Sequence, residues 1–121
     1  PNNRSFQFHQ NSSLTLYGST KAALERTSAG LAAELGPLNI AVNTLAPVEA
    51  VASAGALKSG AIDSVAHMEP EEAMAEAALQ LCSRPQAGLS GRCVMSLPLL
   101  RELGVAVHTL DGSQPLPDYR F

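Results

Sequence analysis

Residues 14–47 read LTLYGSTKAALERTSAGLAAELGPLNIAVNTLAP, and the fold class turns on how this stretch divides. From Leu14 to Leu35 almost every residue is a good helix former, Leu24, Leu31 and Leu35 recur on one face, and Gly36-Pro37 supplies a stop. The spacing predicts a helix over 14–35. Ala22, Ala23, Ala29, Ala32 and Ala33 on its other faces are small enough to let a second helix or a sheet approach closely, so the helix is expected to be buried on more than one side. Asn39 to Leu45 follows as a short apolar run ended by Ala46-Pro47, the composition of a buried parallel strand. Helix, tight turn and strand make half of a βαβ unit.

Outward from this stretch the alternation continues. Residues 1–13 are rich in Asn, Gln and Ser without helical period and read as loop. Val48 to Met68 is a run of small residues with Gly55 and Gly60, long enough at about 20 residues to be a functional loop or lid containing short helical turns. Glu69-Pro70-Glu71-Glu72 opens a second helix, since Pro suits the first helical position and acids suit the positive end of the dipole. Met74, Ala77, Ala78, Leu81 and Cys82 would form its apolar face, and Pro85 closes it. Gly91 to Ser96 reads as a second strand, Leu97 to Leu103 as a short helix stopped by Gly104, and the tail from Asp111, with Pro115 and Pro117, as irregular. Right-handed crossovers would make the two strands parallel. Two parallel strands leave most of both faces uncovered, so the expected class is α/β, one end of a larger doubly wound sheet that lacks its first strands. The opening residue Pro1, where a Met would stand, favours a partial sequence.

Composition narrows the function classes. The 121 residues are 45% apolar and 16% charged, with 8 basic against 11 acidic side chains and a net charge of −3. One globular domain is expected, without a basic stripe for nucleic acid or an anionic membrane. No apolar run approaches the ~20 residues that cross a bilayer, and residues 1–13 are too polar for a signal peptide. A soluble cytoplasmic protein is the expectation. Cys82 and Cys93 have ten residues between them and no Cys-x-x-Cys spacing, while His9, His67 and His108 are dispersed. Buried free thiols and no metal are expected.

Tyr17-Gly18-Ser19-Thr20-Lys21 sets a phenol and an ammonium four residues apart near the start of the long helix, on one face. A phenol with its ordinary pKa near 10 is a poor acid or base at neutral pH, and lowering it by three units requires about 4 kcal/mol of preference for phenolate. A cation ~4 Å away at an effective dielectric near 20 supplies roughly that amount. A phenol so tuned can exchange a proton with an alcohol or carbonyl oxygen. The bland alternative is a surface Tyr and Lys on an amphipathic helix.

Context separates the two readings. Tyr17 and Lys21, followed by Ala22-Ala23-Leu24-Glu25 and about 20 residues later by Ile40-Ala41-Val42-Asn43-Thr44-Leu45-Ala46-Pro47, strongly resemble the short-chain dehydrogenase/reductase family, over residues 14 to about 96. The resemblance implies the carboxyl-terminal half of a classical-type member: a partial Rossmann-type domain over 1–121, with a loop over 1–13, a family-like core over 14–96 and a tail over 97–121. It implies an oxidoreductase interconverting an alcohol and a carbonyl by hydride transfer with NAD or NADP. Tyr17 matches the catalytic acid/base, and Lys21 the residue that lowers its pKa and holds the nicotinamide ribose hydroxyls. The family's substrate-polarising Ser usually lies 12 to 14 residues before the Tyr, which selects Ser5, with Arg4 at the commonest offset and Ser12 and Ser13 read as loop. Asn43 and Pro47 match the end of the sixth strand, where the backbone approaches the nicotinamide, and Pro47, Val48, Glu49 and Ala50 are the cofactor-contact candidates.

The sequence departs from the family pattern in two places. The usual Gly after the strand-end Pro is Val48, and the Thr expected a few residues on is Ala52 or Ser53. Val48 cannot take a positive φ cheaply, so either the turn differs or the carboxamide is held differently. The second departure is larger. No Thr-Gly-x-x-x-Gly-x-Gly turn, ribose selector or Asn-Asn-Ala-Gly segment occurs in these residues, so this chain alone is not expected to bind NAD(P). The small, apolar loop over 48–68 suggests an apolar alcohol or ketone, and the family's habits suggest a homo-oligomer. Two other readings stand beside the enzyme: a truncated, non-catalytic oligomerisation or interaction module, for which the Ala-rich helix speaks, and a sugar-nucleotide epimerase, against which the short tail after Ser96 speaks.

Overall fold

The computed structural model describes residues 15–58, 68–85, 88–119 and 121. The chain divides into two compact units, one of Pro1–Thr44 with Gln86–Cys93, the other of Leu45–Pro85 with Val94–Phe121. The elements are α1 (Thr15–Leu35), a 3₁₀ turn (Gly36–Leu38), β1 (Thr44–Ala46), α2 (Ala54–Lys58), α3 (Glu71–Ser83), β2 (Cys93–Met95), α4 (Ser96–Leu103) and a closing 3₁₀ turn (Pro117–Tyr119). The two strands pair in parallel, as the alternation requires, in a partial Rossmann-type α/β arrangement.

In the first unit, α1 runs without interruption to Leu35, and the 3₁₀ turn accommodates Pro37 in its first positions. Asn39, at φ 60°, closes the helix in the left-handed region, with its N–H donating to the Gly36 carbonyl and that of Ile40 to Leu35. This cap consumes the first residues of the expected strand, so β1 is only Thr44–Ala46 and Ile40 is exposed. Backbone pairing begins slightly earlier, where Gly91 N–H donates to the Val42 carbonyl and Thr44 N–H to Arg92. The expected burial of α1 on several sides is not observed. Ala32 is its buried residue, on an inward line with the half-buried Gly18, Glu25, Ser28 and Leu35, whereas Leu24 and Leu31 are exposed. The inward line is set by small side chains meeting the segment before β2: a methyl placed on Gly91 (φ 75°) would lie 3.6 Å from the Ala32 Cβ.

The second unit holds most of the core. α3 packs against α4, burying Ala73 and Ala77 with Leu99, Leu100, Val94 and Val107. Pro70 precedes the first turn of α3 as its N-cap, one place before the position expected of it, and Glu71 and Glu72 occupy the positive helix end. The buried line of α3 runs through Ala73 and Ala77; the expected face members Ala78 and Cys82 are exposed. Cys93 is exposed as well, because it alternates with the inward-facing Val94. Both thiols therefore differ from the expectation of burial. α4 ends in a Schellman arrangement, with Gly104 at φ 64°, its N–H on the Arg101 carbonyl and the Val105 N–H on Leu100. The tail is more ordered than its prolines suggest: His108 bridges to Pro115, and Val107 exchanges backbone bonds with Leu116 and Tyr119. Among the described residues no helix is long and apolar enough to cross a membrane.

Candidate active site

The candidate residues belong to separate segments, α1 in the first unit and the end of β1 in the second. On the first turns of α1, Tyr17 and Lys21 share a face, with the Lys21 Nζ over the phenol ring 5.3 Å from its centroid. This is the four-residue register of a helix at work, and the contact is of cation–π type. Tyr17 is about half exposed, at 51%. The neighbouring hydroxyls are turned back on the helix: Ser19 donates to the Thr15 carbonyl at 2.9 Å and Thr20 to that of Tyr17 at 2.7 Å. They therefore compete little for the phenol. Ser5, Ser12 and Ser13 lie outside the described residues.

In the second unit, Pro47 and Val48 are half-buried just beyond β1, and Glu49 and Ala50 are exposed. Among the described non-glycine residues only Asn39 has a positive φ, so Val48 follows the strand-end Pro without the conformation that a glycine would supply. The turn is made differently. The Val48 N–H donates to Oε2 of Glu69 at 2.9 Å, and Glu69 also pairs in backbone with Ala50 and Ala52. The loop 48–68 indeed contains a helical turn, α2, and a parallel bridge from Val51 to Glu69; residues 59–67 lie outside the described set.

Asn43, which the resemblance places near the cofactor, has its amide engaged by the chain itself. Its Nδ2 donates to the Leu89 carbonyl and its Oδ1 accepts the Arg92 N–H at 3.1 Å. Sequence reasoning missed Glu69 and Ser96, both buried, whose side chains are hydrogen-bonded to each other. The only signal for Glu69 was an acid beside Pro at a helix start, a pattern that capping alone explains. Among the described residues no three His, Cys, Asp or Glu side chains come together as metal ligands would.

No protein-family model matches the chain, and no curated protein matches it. Solved structures do. A short-chain dehydrogenase from Mycobacterium thermoresistibile is 29% identical with a TM-score of 0.66, over 79% of this chain and 35% of its own. A protein from Xanthomonas campestris designated a dehydrogenase is 29% identical with a TM-score of 0.57, over 80% of this chain and 35% of its own. The chain thus spans about a third of the length of these neighbours. Over about four-fifths of its length the chain is thus similar in fold and sequence to short-chain dehydrogenases.

Proposed function

We propose that this chain carries the proton-transferring helix and a nicotinamide-facing strand end of an NAD(P)-dependent oxidoreductase that interconverts an alcohol and a carbonyl. The observation that carries the reading is the Lys21 ammonium held over the Tyr17 ring on α1, in a chain whose solved neighbours are dehydrogenases. In the reductive direction the Tyr17 hydroxyl gives its proton to the carbonyl oxygen, and in the oxidative direction its oxygen takes the proton of the alcohol. Lys21, whose ammonium lies over the Tyr17 ring, is the partner that the resemblance gives the phenol in this step. Ser5 is the candidate donor that polarises the same substrate oxygen. The nicotinamide, when bound, supplies or accepts the hydride. Each unit taken by itself has chemistry that suits the nicotinamide end: in the first, the Lys21 ammonium suits ribose hydroxyls, and in the second, the N–H groups of Glu49 and Ala50 take no part in the bonds to Glu69.

Replacing Tyr17 by Phe in the complete protein tests this directly in a turnover assay with NAD(P)H. The expected result is loss of turnover by at least about a hundredfold, the scale of a lost general acid, with nucleotide binding nearly unchanged. Undiminished turnover would remove Tyr17 from its role. A second reading, an interaction module without catalysis, is favoured by the exposed Leu16, Leu24 and Leu31 on α1. It predicts that Tyr17→Phe changes nothing and that the leucines govern self-association.

A further inference from the structure

Glu69 and Ser96 are the buried polar side chains among the described residues, at 2% and 0% exposure. A carboxyl group withdrawn from water is destabilising unless its oxygens are satisfied. Here the chain itself satisfies them. Oε2 accepts the Val48 N–H at 2.9 Å and Oε1 accepts the Ser96 hydroxyl. The backbone of the same residue adds two further bonds, its N–H donating to the Ala50 carbonyl at 2.8 Å and its carbonyl accepting the Ala52 N–H at 2.9 Å.

The two groups joined by this carboxyl stand in equivalent places. Val48 lies two residues beyond the end of β1, and Ser96 follows the last residue of β2. Glu69 therefore bridges the carboxyl ends of two adjacent parallel strands, the edge at which α/β sheets bind ligands. It reaches Val48 across 21 residues of sequence and Ser96 across 27. A purely space-filling role would be served better by an apolar side chain, since an acid at this depth gains nothing from burial itself.

We propose that Glu69 is a positioning residue that fixes the Val48–Ala50 backbone at the end of β1 for the nicotinamide end of the dinucleotide, at the position where the family pattern that the sequence resembles has a glycine. The inference rests on the oxidoreductase reading above. It has a chemical corollary: the Val48 N–H and the Ala50 carbonyl are committed to Glu69, so the carboxamide would be met by the N–H groups of Glu49 and Ala50.

The test is amide-resolved hydrogen exchange on the 121-residue chain, comparing wild type with Glu69→Ala, Glu69→Gln and Ser96→Ala. Glu69→Ala should speed exchange at Val48 by about tenfold or more while α3 amides such as Ala77 change by less than about threefold. Glu69→Gln should restore protection, because its carbonyl still accepts from Val48 and its amide can donate to the Ser96 oxygen. Equal Val48 rates in wild type and Glu69→Ala overturn the proposal, and so does uniform acceleration across α3 and α4, which is a stability effect alone. Should Glu69→Ala fail to fold, Ser96→Ala decides: selective acceleration at Val48 supports the proposal and an unchanged Val48 rate sinks it. In the turnover assay of the complete protein that compares Tyr17 with Tyr17→Phe, Glu69→Ala should raise the nucleotide KM by about tenfold, with Glu69→Gln restoring it. A fall in kcat at constant KM would overturn the positioning role. Because exchange at Val48 needs no turnover, failure of the oxidoreductase reading leaves a distinct signature from failure of this one.

Discussion

Asp111 shows how much a single turn can do to one carboxyl. Its Oδ1 accepts the Thr109 hydroxyl, the Ser113 N–H at 3.0 Å and the Ser113 hydroxyl at 2.8 Å. These bonds, the one from Thr109 foremost, lower its pKa from 3.8 to about 2. A depressed carboxyl pKa means that the folded turn prefers the ionised form. Its contribution to the turn is therefore present above the unfolded value of 3.8 and disappears as pH falls through about 2. Following the Asp111 carboxyl carbon by NMR should give a midpoint near the lowered value. Thr109→Val, which removes the largest cause, should move that midpoint upward; an unmoved midpoint would assign the shift elsewhere. Tyr17 and Lys21 belong to the same scale, since their register follows from four residues of helix and requires no distant partner.

At the scale of elements, the ends were easier to read than the faces. Gly36-Pro37, Pro85 and Gly104 mark terminations that the structure keeps, because capping chemistry is set by the few residues around each end. Gly104 offers a clean test: at φ 64° it has no neighbouring heavy atom within 4 Å of an added Cβ. Gly104→Ala should thus cost about 1 kcal/mol through backbone strain alone, read as a lower urea midpoint at unchanged m-value. Which face of a helix is buried depends on what lies across from it. Leu24 and Leu31 were expected inside and stand at 55% and 40% exposure, while small Ala32 is the buried residue. Likewise Cys82 and Cys93 are exposed because Ala77 and Val94 take the inward positions of α3 and β2.

For the molecule as a whole, the α/β order was legible and the partnership of distant residues was not. The homo-oligomer expectation is tested on α1, whose Leu24 and Leu31 are exposed: if they form an interaction surface, sedimentation should show a concentration-dependent oligomer that the double substitution Leu24→Glu with Leu31→Glu returns to monomer, and an invariant monomer would overturn the expectation. A second whole-chain expectation concerns nucleotide. The 121 residues contain no glycine-rich phosphate turn, so fluorescence titration of this chain with NADH or NADPH should show no saturable binding, and tight binding would contradict that expectation.

The amino-acid order by itself determined the helices and their ends, the parallel α/β alternation and the shared face of Tyr17 and Lys21. Each of these is governed by side-chain periodicity or turn chemistry within a few residues. Tertiary structure alone decided that Asn43 is spent on Leu89 and Arg92, that Val48 needs no glycine-like backbone, and that an acid beside a helix start becomes the buried tie between two strand ends. Those outcomes depend on hydrogen-bond partners 21 to 49 residues away, and the satisfaction of a buried polar group by so distant a partner leaves no periodic mark on the chain.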